Sequence, residues 1–157
     1  MLTVGGASAG DHDHVAAACA RLGVRNRFRR VAVQPGKPTH FGLAPGGVPV
    51  FGLPGNPVSA LVMFRLLVQP ALLRMQGAPA DMRALPARLS CAVRGAGARA
   101  LFLRGTLETR DDTLWAVPHA NQGSHMLTGL AAAEVLIELP AGAGRHGEGS
   151  AVVVHLL

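Results

Sequence analysis

A chain of 157 residues that is 49% apolar and only 15% charged can bury a core as one domain or two small ones, and is no disordered polyelectrolyte. Its net charge of +6 is carried by scattered arginines, clustered only at Arg25, Arg27, Arg29 and Arg30. With few aromatics and no basic helix, that pattern reads as a solvated basic face; a small anionic ligand explains the remaining charge as well as a polynucleotide does, and no nucleic-acid partner is expected.

No run of about 18 uncharged apolar residues is present, since Arg65 and Pro70 break the longest candidate, and the opening residues do not resemble a signal peptide. No membrane partner and a cytoplasmic location are therefore expected, with Cys19 and Cys91 as reduced, buried thiols.

From Leu2 to Gly77 strands alternate with helices, which argues an α/β fold with a parallel sheet. Leu2 to Val4 is a short apolar strand. Asp13 is placed to cap a helix from His14 to Leu22 that Gly23 ends. Phe28 to Val33 alternates as a strand, and Phe41–Leu43 with Val48–Phe51 form a hairpin about Pro45-Gly46-Gly47. A long apolar helix follows, with Asn56 as its cap and Pro57 at its first position. Its apolar excess predicts burial on more than one side, a bend at Pro70 and a stop at Gly77.

Residues 78–85 read as a linker. Beyond it the runs Ala87–Val93, Ala100–Thr109, Thr113–Val117, Ala133–Leu139 and Ala151–Leu156 predict a small all-β sandwich or barrel, with a hairpin turn at Arg110-Asp111-Asp112. The α/β part opens inside its first strand, which leaves sheet edges and a helix face to be covered, so the chain reads as the tail end of a larger protein.

Four loops hold chemistry-bearing residues. Gly5-Gly6-Ala7-Ser8-Ala9-Gly10-Asp11-His12-Asp13 joins a strand to a helix, and such a loop offers backbone N–H groups and a hydroxyl to an oxyanion. Two of the chain's nine carboxylates lie there, so Asp11 and Asp13 are the candidates for a hard cation such as Mg²⁺. Gly6-Ala7-Ser8-Ala9-Gly10 is also a literal G-x-S-x-G, and a serine hydrolase using Ser8 with His119 or His125 is the rival reading. His12 and His14 face different sides of a helix start and make a poor metal pair. Gln34-Pro35-Gly36-Lys37-Pro38 presents the single lysine, a compact point charge for an oxyanion. Gly52-Leu53-Pro54-Gly55-Asn56-Pro57-Val58-Ser59-Ala60 is a rigid turn feeding a helix N-terminus, suited to an anion. Asn121-Gln122-Gly123-Ser124-His125 gathers amide, hydroxyl and imidazole groups in one loop.

Taken in this order, G-G-A-S-A-G-D-H-D, Q-P-G-K-P, G-L-P-G-N-P-V-S-A and N-Q-G-S-H resemble the molybdopterin molybdenumtransferase family, the MoeA proteins and the E domain of gephyrin. The resemblance implies the C-terminal half of a MogA-like three-layer molybdopterin-binding domain over residues 1–77, a linker over 78–85, and a small β-barrel-like C-terminal domain over 86–157. It implies insertion of molybdate into adenylylated molybdopterin, with Mg²⁺-dependent release of AMP. By motif, Asp13 would meet Mg²⁺ or pterin and Lys37 an oxyanion. Gly5, Gly6, Ser8, Gly10, Pro54, Gly55, Asn56, Ser59, Ser124 and His125 would line the ligand. Family members usually carry a basic residue where this chain has Gln34. The family's first two domains and the opening of the third have no counterpart here, which implies a homodimer or association with a missing N-terminal portion. It also leaves a non-catalytic binding or assembly module as an alternative.

Overall fold

The computed structural model describes residues 1–6, 14–80, 83–123 and 128–157. Along the chain the elements are β1 (Leu2–Val4), α1 (His14–Arg21), β2 (Arg25–Phe28), β3 (Val33–Gln34), β4 (His40–Leu43), β5 (Pro49–Leu53) and one continuous helix, α2 (Pro57–Met75). There follow β6 (Ala84–Leu89), β7 (Val93–Arg94), β8 (Ala100–Arg110), β9 (Thr113–Pro118), a short helix Thr128–Ala131, β10 (Val135–Leu139), β11 (Arg145–His146) and β12 (Ala151–Leu156). Two units result: Met1–Val31 with Gly36–Ala78, and Ala32–Pro35 with Pro79–Leu157.

In the first unit the sheet order is β1-β5-β4-β2. Only β1 and β5 run parallel. β4 meets β5 antiparallel because residues 44–48 are too few for a crossover and form a hairpin instead. The sheet is thus mixed rather than wholly parallel.

The strand expected over Phe28–Val33 lies elsewhere: β2 ends at Phe28, and Val33 begins β3, which pairs with β8 of the second unit. Arg25, Asn26 and Arg27 lie exposed on an outer strand, so β2 shows no apolar alternation to read. α1 packs through Cys19 against Val24 and Val50, with Val15 and Ala44 beside them. Cys19 is buried as expected, but Cys91 is exposed, because β6 stops at Leu89 and leaves Cys91 in the following turn.

α2 widens to a π turn over Phe64–Val68. Pro70 supplies no N–H to the helix, and the turn before it shifts register, the Gln69 N–H reaching the Phe64 carbonyl. Gly77, at φ 71°, follows the helix end. Val58, Ser59, Val62, Met63 and Val68 are buried, yet Leu72 and Met75 remain 41% and 65% exposed. The expected burial on several sides is therefore not met. By length and composition alone α2 could cross a bilayer, a property it shares with core helices of soluble proteins.

In the second unit β8, β9, β6, β12 and β10 pair in succession, and β10 closes back on β8. This is a five-stranded barrel. Its interior holds Leu89, Leu103, Ala116, Val135, Ile137 and Val154, each aliphatic side chain larger than alanine contributing about 1.5–3 kcal/mol by burial. The β8–β9 hairpin turns through Asp111 and Asp112 at φ 45° and 57°, as the turn sequence predicted. β6 starts at Ala84, inside the expected linker.

Closure bends β8 at Gly105, the residue that pairs with both β10 and β9. A Cβ there would lie 2.4 Å from the Val117 carbonyl oxygen and 2.7 Å from Ile137 Cδ1. Backbone cannot yield as a flexible side chain does. Gly105→Ala is expected to destabilise the barrel by about 1–3 kcal/mol in urea unfolding, and an unchanged midpoint would contradict this account of closure.

Candidate functional site

Parallel strands end on one side of their sheet. The pairing of Leu2, Thr3 and Val4 with Phe51, Gly52 and Leu53 therefore carries the loop after β1 and the turn after β5 to one place. The Gly5 N–H bonds the Leu53 carbonyl at 3.0 Å. A Cβ on Gly55 would stand 3.3 Å from the Cα of Gly5, a tight contact that would press the two turns apart by a few tenths of an ångström. Gly5 and Gly6 both take positive φ, at 86° and 64°.

Pro54 is buried and Gly55 exposed, so the turn is held from below and open above. Asn56 occupies the N-cap position at φ −74° and ψ 123°, but its side chain makes no capping bond, contrary to expectation. Pro57 at the first helical position fixes the entry instead. The first helical hydrogen bond runs from the Ala60 N–H to the Asn56 carbonyl at 2.8 Å. The N–H groups of Val58 and Ser59 precede it, at the positive end of α2. Ser59 is buried.

The P-G-K-P turn packs further along α2. A Cβ on Gly36 would fall 2.2 Å from the Met63 sulfur, so the turn lies flat on that residue. Thr39 Oγ1 donates to the Gly36 carbonyl at 2.7 Å, and the Val31 N–H donates to the Lys37 carbonyl at 3.1 Å. Met63 is roughly 10 Å along the helix axis from its start. Lys37 itself is exposed. The structure thus brings the first and third motifs into contact and sets Lys37 near the second turn of the same helix.

Charge separates sharply between the units. The first holds Arg21, Arg25, Arg27, Arg29, Arg30, Lys37, Arg65 and Arg74, against only two carboxylates, Asp11 and Asp13. The second holds seven arginines and seven carboxylates, so the entire net charge of +6 belongs to the unit with the glycine turns. An anion is drawn to that unit.

Asp13, Ser8, Gly10, Ser124 and His125 lie outside the described residues, so neither the cation assignment nor the hydrolase reading at Ser8 is tested by geometry. Among the described residues no three His, Cys, Asp or Glu side chains cluster as metal ligands.

The loop leading to Ser124 rests on a residue that sequence reasoning missed. Arg104, 1% exposed, lies on the outer barrel face opposite Leu136 and donates to the carbonyls of Asn121 and Gly123, each at 3.1 Å. Gln122 clasps the same strand. Its Oε1 accepts from the Arg104 N–H at 3.0 Å, and its Nε2 donates to the Arg104 and His119 carbonyls, both at 2.8 Å. Burial lowers the Arg104 pKa below its ordinary value, and the guanidinium still stays charged. The signal available was a single arginine directly after the apolar run Leu101-Phe102-Leu103.

Two family models divide the chain between them. Residues 1–74 match a family described as a probable molybdopterin binding domain, and residues 86–157 match the MoeA C-terminal region, domain IV. Both halves of the chain are thus similar to domains of the molybdopterin molybdenumtransferase (MoeA) proteins. Molybdopterin molybdenumtransferase 1 of Mycobacterium tuberculosis is 37% identical over 163 residues, covering 98% of this chain and 37% of that protein. The molybdenum cofactor synthesis protein cinnamon of Drosophila melanogaster is 36% identical over 144 residues, covering 90% and 24%. A solved molybdopterin biosynthesis MoeA protein from Pyrococcus horikoshii superposes with a TM-score of 0.78 at 37% identity, over 99% of this chain and 36% of that one. The chain therefore spans little more than a third of these relatives at most.

Arg104→Met keeps the volume but removes the donors to two loop carbonyls. It is expected to lower barrel stability by about 2–4 kcal/mol, whereas Arg88→Met, which loses one exposed bond to Gly149, should cost about 1 kcal/mol or less. Equal losses in chemical denaturation would show that the Arg104 bonds carry no special weight.

Proposed function

We propose that this chain acts in molybdenum cofactor biosynthesis, in the insertion of molybdate into adenylylated molybdopterin with Mg²⁺-dependent release of AMP, and that it does so in the cytoplasm. The observation that carries this reading is the junction of Gly5 and Gly55, set in the unit that bears all of the net positive charge. There the backbone N–H groups of Gly6 and Gly55, with those of Val58 and Ser59, form a cradle for a phosphate or molybdate oxyanion, while the Gly5 N–H ties the loop to Leu53. Lys37 would add a mobile ammonium from the flank of the same helix. Ser8 and Gly10 would extend the phosphate contacts, and Ser124 and His125 would grip a polar part of the ligand.

A hard cation needs oxygen ligands, and Asp11 and Asp13 are the only carboxylates of the first unit. No cluster of described residues competes for the ion. Those two side chains, together with phosphate oxygens of the substrate, would hold Mg²⁺. When bound, it would offset the crowded negative charge of phosphate and molybdate.

Titration calorimetry of the chain with molybdate tests the cradle. Gly55→Val forces the two turns apart and is expected to weaken molybdate binding about tenfold, with the barrel transition unmoved. Asp13→Ala is expected to abolish the Mg²⁺ dependence of binding. Unchanged affinity with a stability loss of about 1 kcal/mol would instead make Asp13 a helix cap. Release of AMP from adenylylated molybdopterin separates transfer from a purely binding or assembly role, in which molybdate would bind but no AMP would form.

A further inference from the structure

His40 is a polar ring buried at one end of the first unit's sheet. With Gly52 it forms the terminal register pair of the β4–β5 ladder, and Gly52 is also the partner of Thr3 on β1. A Cβ on Gly52 would land inside the imidazole, nearer to Cε1, Nε2 and Nδ1 than any real Cβ approaches a neighbour. The ring therefore reaches across the ladder and covers the Gly52 Cα with its nitrogen-bearing edge. Gly52 does not take a positive φ, so its lack of a side chain answers to this ring and not to a turn.

The neighbouring part of that sheet face is filled by apolar groups. Val50, two residues before Gly52, packs with Cys19 of α1 and with Val24. Gly42, two residues beyond His40, likewise makes room for a side chain, since a Cβ there would stand 2.8 Å from Val24 Cγ1. One glycine thus admits a valine and the other an imidazole. A buried imidazole costs more to desolvate than a valine, so space filling alone does not call for it. Its place in the sheet is what sets it apart. With a rise of about 3.3 Å per residue, Gly52 lies roughly 7 Å along β5 from Pro54, beside the junction of the two glycine turns.

The residue before it serves the other turn. Thr39, fully buried, donates its hydroxyl to the Gly36 carbonyl. Two consecutive residues thus hold two turns: Thr39 holds P-G-K-P, and His40 covers the strand end that delivers P-G-N-P. The terminal pair of a ladder opens most easily, and a side-chain contact across it resists that opening.

We propose that His40 is a positioning residue of the oxyanion site. Its ring, seated on Gly52, keeps the end of β5 closed on β4 and so holds the Gly55 turn and the Lys37 turn at one spacing. For its ligand the proposal rests on the cradle reading, but the setting of the two turns is measurable without a ligand.

Four forms of the full chain are compared: wild type, Gly52→Ala, His40→Ala and the double variant. Amide resonances are recorded without ligand, and molybdate binding by calorimetry. Gly52→Ala drives a methyl into the ring and is expected to shift the Gly55, Ser59 and Lys37 amides and weaken molybdate binding about tenfold. His40→Ala adds no clash but empties the seat, and should move the same amides with a loss of about fivefold. In the double variant the methyl enters space the ring has left, so affinity should return to within about twofold of wild type. Cys19→Ala is the control: it thins the core of the same unit and lowers its melting point, yet should leave affinity within about twofold. Shifts that stop at Thr3 and Phe41, single variants that lose stability without losing affinity, or a double variant no better than Gly52→Ala would overturn the proposal. Should Gly52→Ala not fold, His40→Ala against Cys19→Ala decides. Absence of molybdate binding in wild type would remove the cradle reading, while the ligand-free shifts at Gly55, Ser59 and Lys37 would still uphold or overturn the role of His40.

Discussion

Parallel pairing of Leu2–Val4 with Phe51–Leu53 is the constraint on which the candidate site depends. Because both strands end on the same side, the glycine loop and the P-G-N-P turn are delivered together; Gly5 supplies a positive φ, and the absence of a side chain at Gly55 lets the turns pack closely. Every other feature of the cradle follows from that contact. Pro57 sets the axis of α2, the axis aims the first N–H groups, and the P-G-K-P turn finds its place by lying on Met63 of the same helix.

The two units use their charges for different ends. The first carries eight cations against two carboxylates, a net charge that attracts an anion to the unit bearing the glycine turns. In the second, cations and anions balance, and its one deeply buried arginine serves a loop rather than a ligand. Arg104 and Gln122 together fasten the Asn121–Gly123 stretch to β8, a fixed base from which the chain continues to Ser124.

Much of this was legible in the chain because local chemistry and tertiary structure agree. The apolar run before Pro54, the proline–glycine turn and Pro57 each have a local cause, and the structure shows strand, turn and helix there. Asp111 and Asp112 told of a hairpin for the same reason. Reading failed where a partner elsewhere decides. β2 is a strand only because β4 offers an edge, β3 only because β8 does, and neither has a pattern of its own. Arg104 looked like one more surface cation until its carbonyl partners were in place. The exposure of Leu72 and Met75 on α2 escaped a periodicity argument, which reports apolar faces but not whether anything covers them.

Backbone amide resonances of the isotopically labelled chain, followed as molybdate is added, test the central claim most directly. The account predicts that the shifts concentrate at Gly6, Gly55, Val58 and Ser59, saturate together, and are lost in Gly55→Val. Shifts confined to the arginines of β2 or spread over the barrel, with those four amides unmoved, would contradict it.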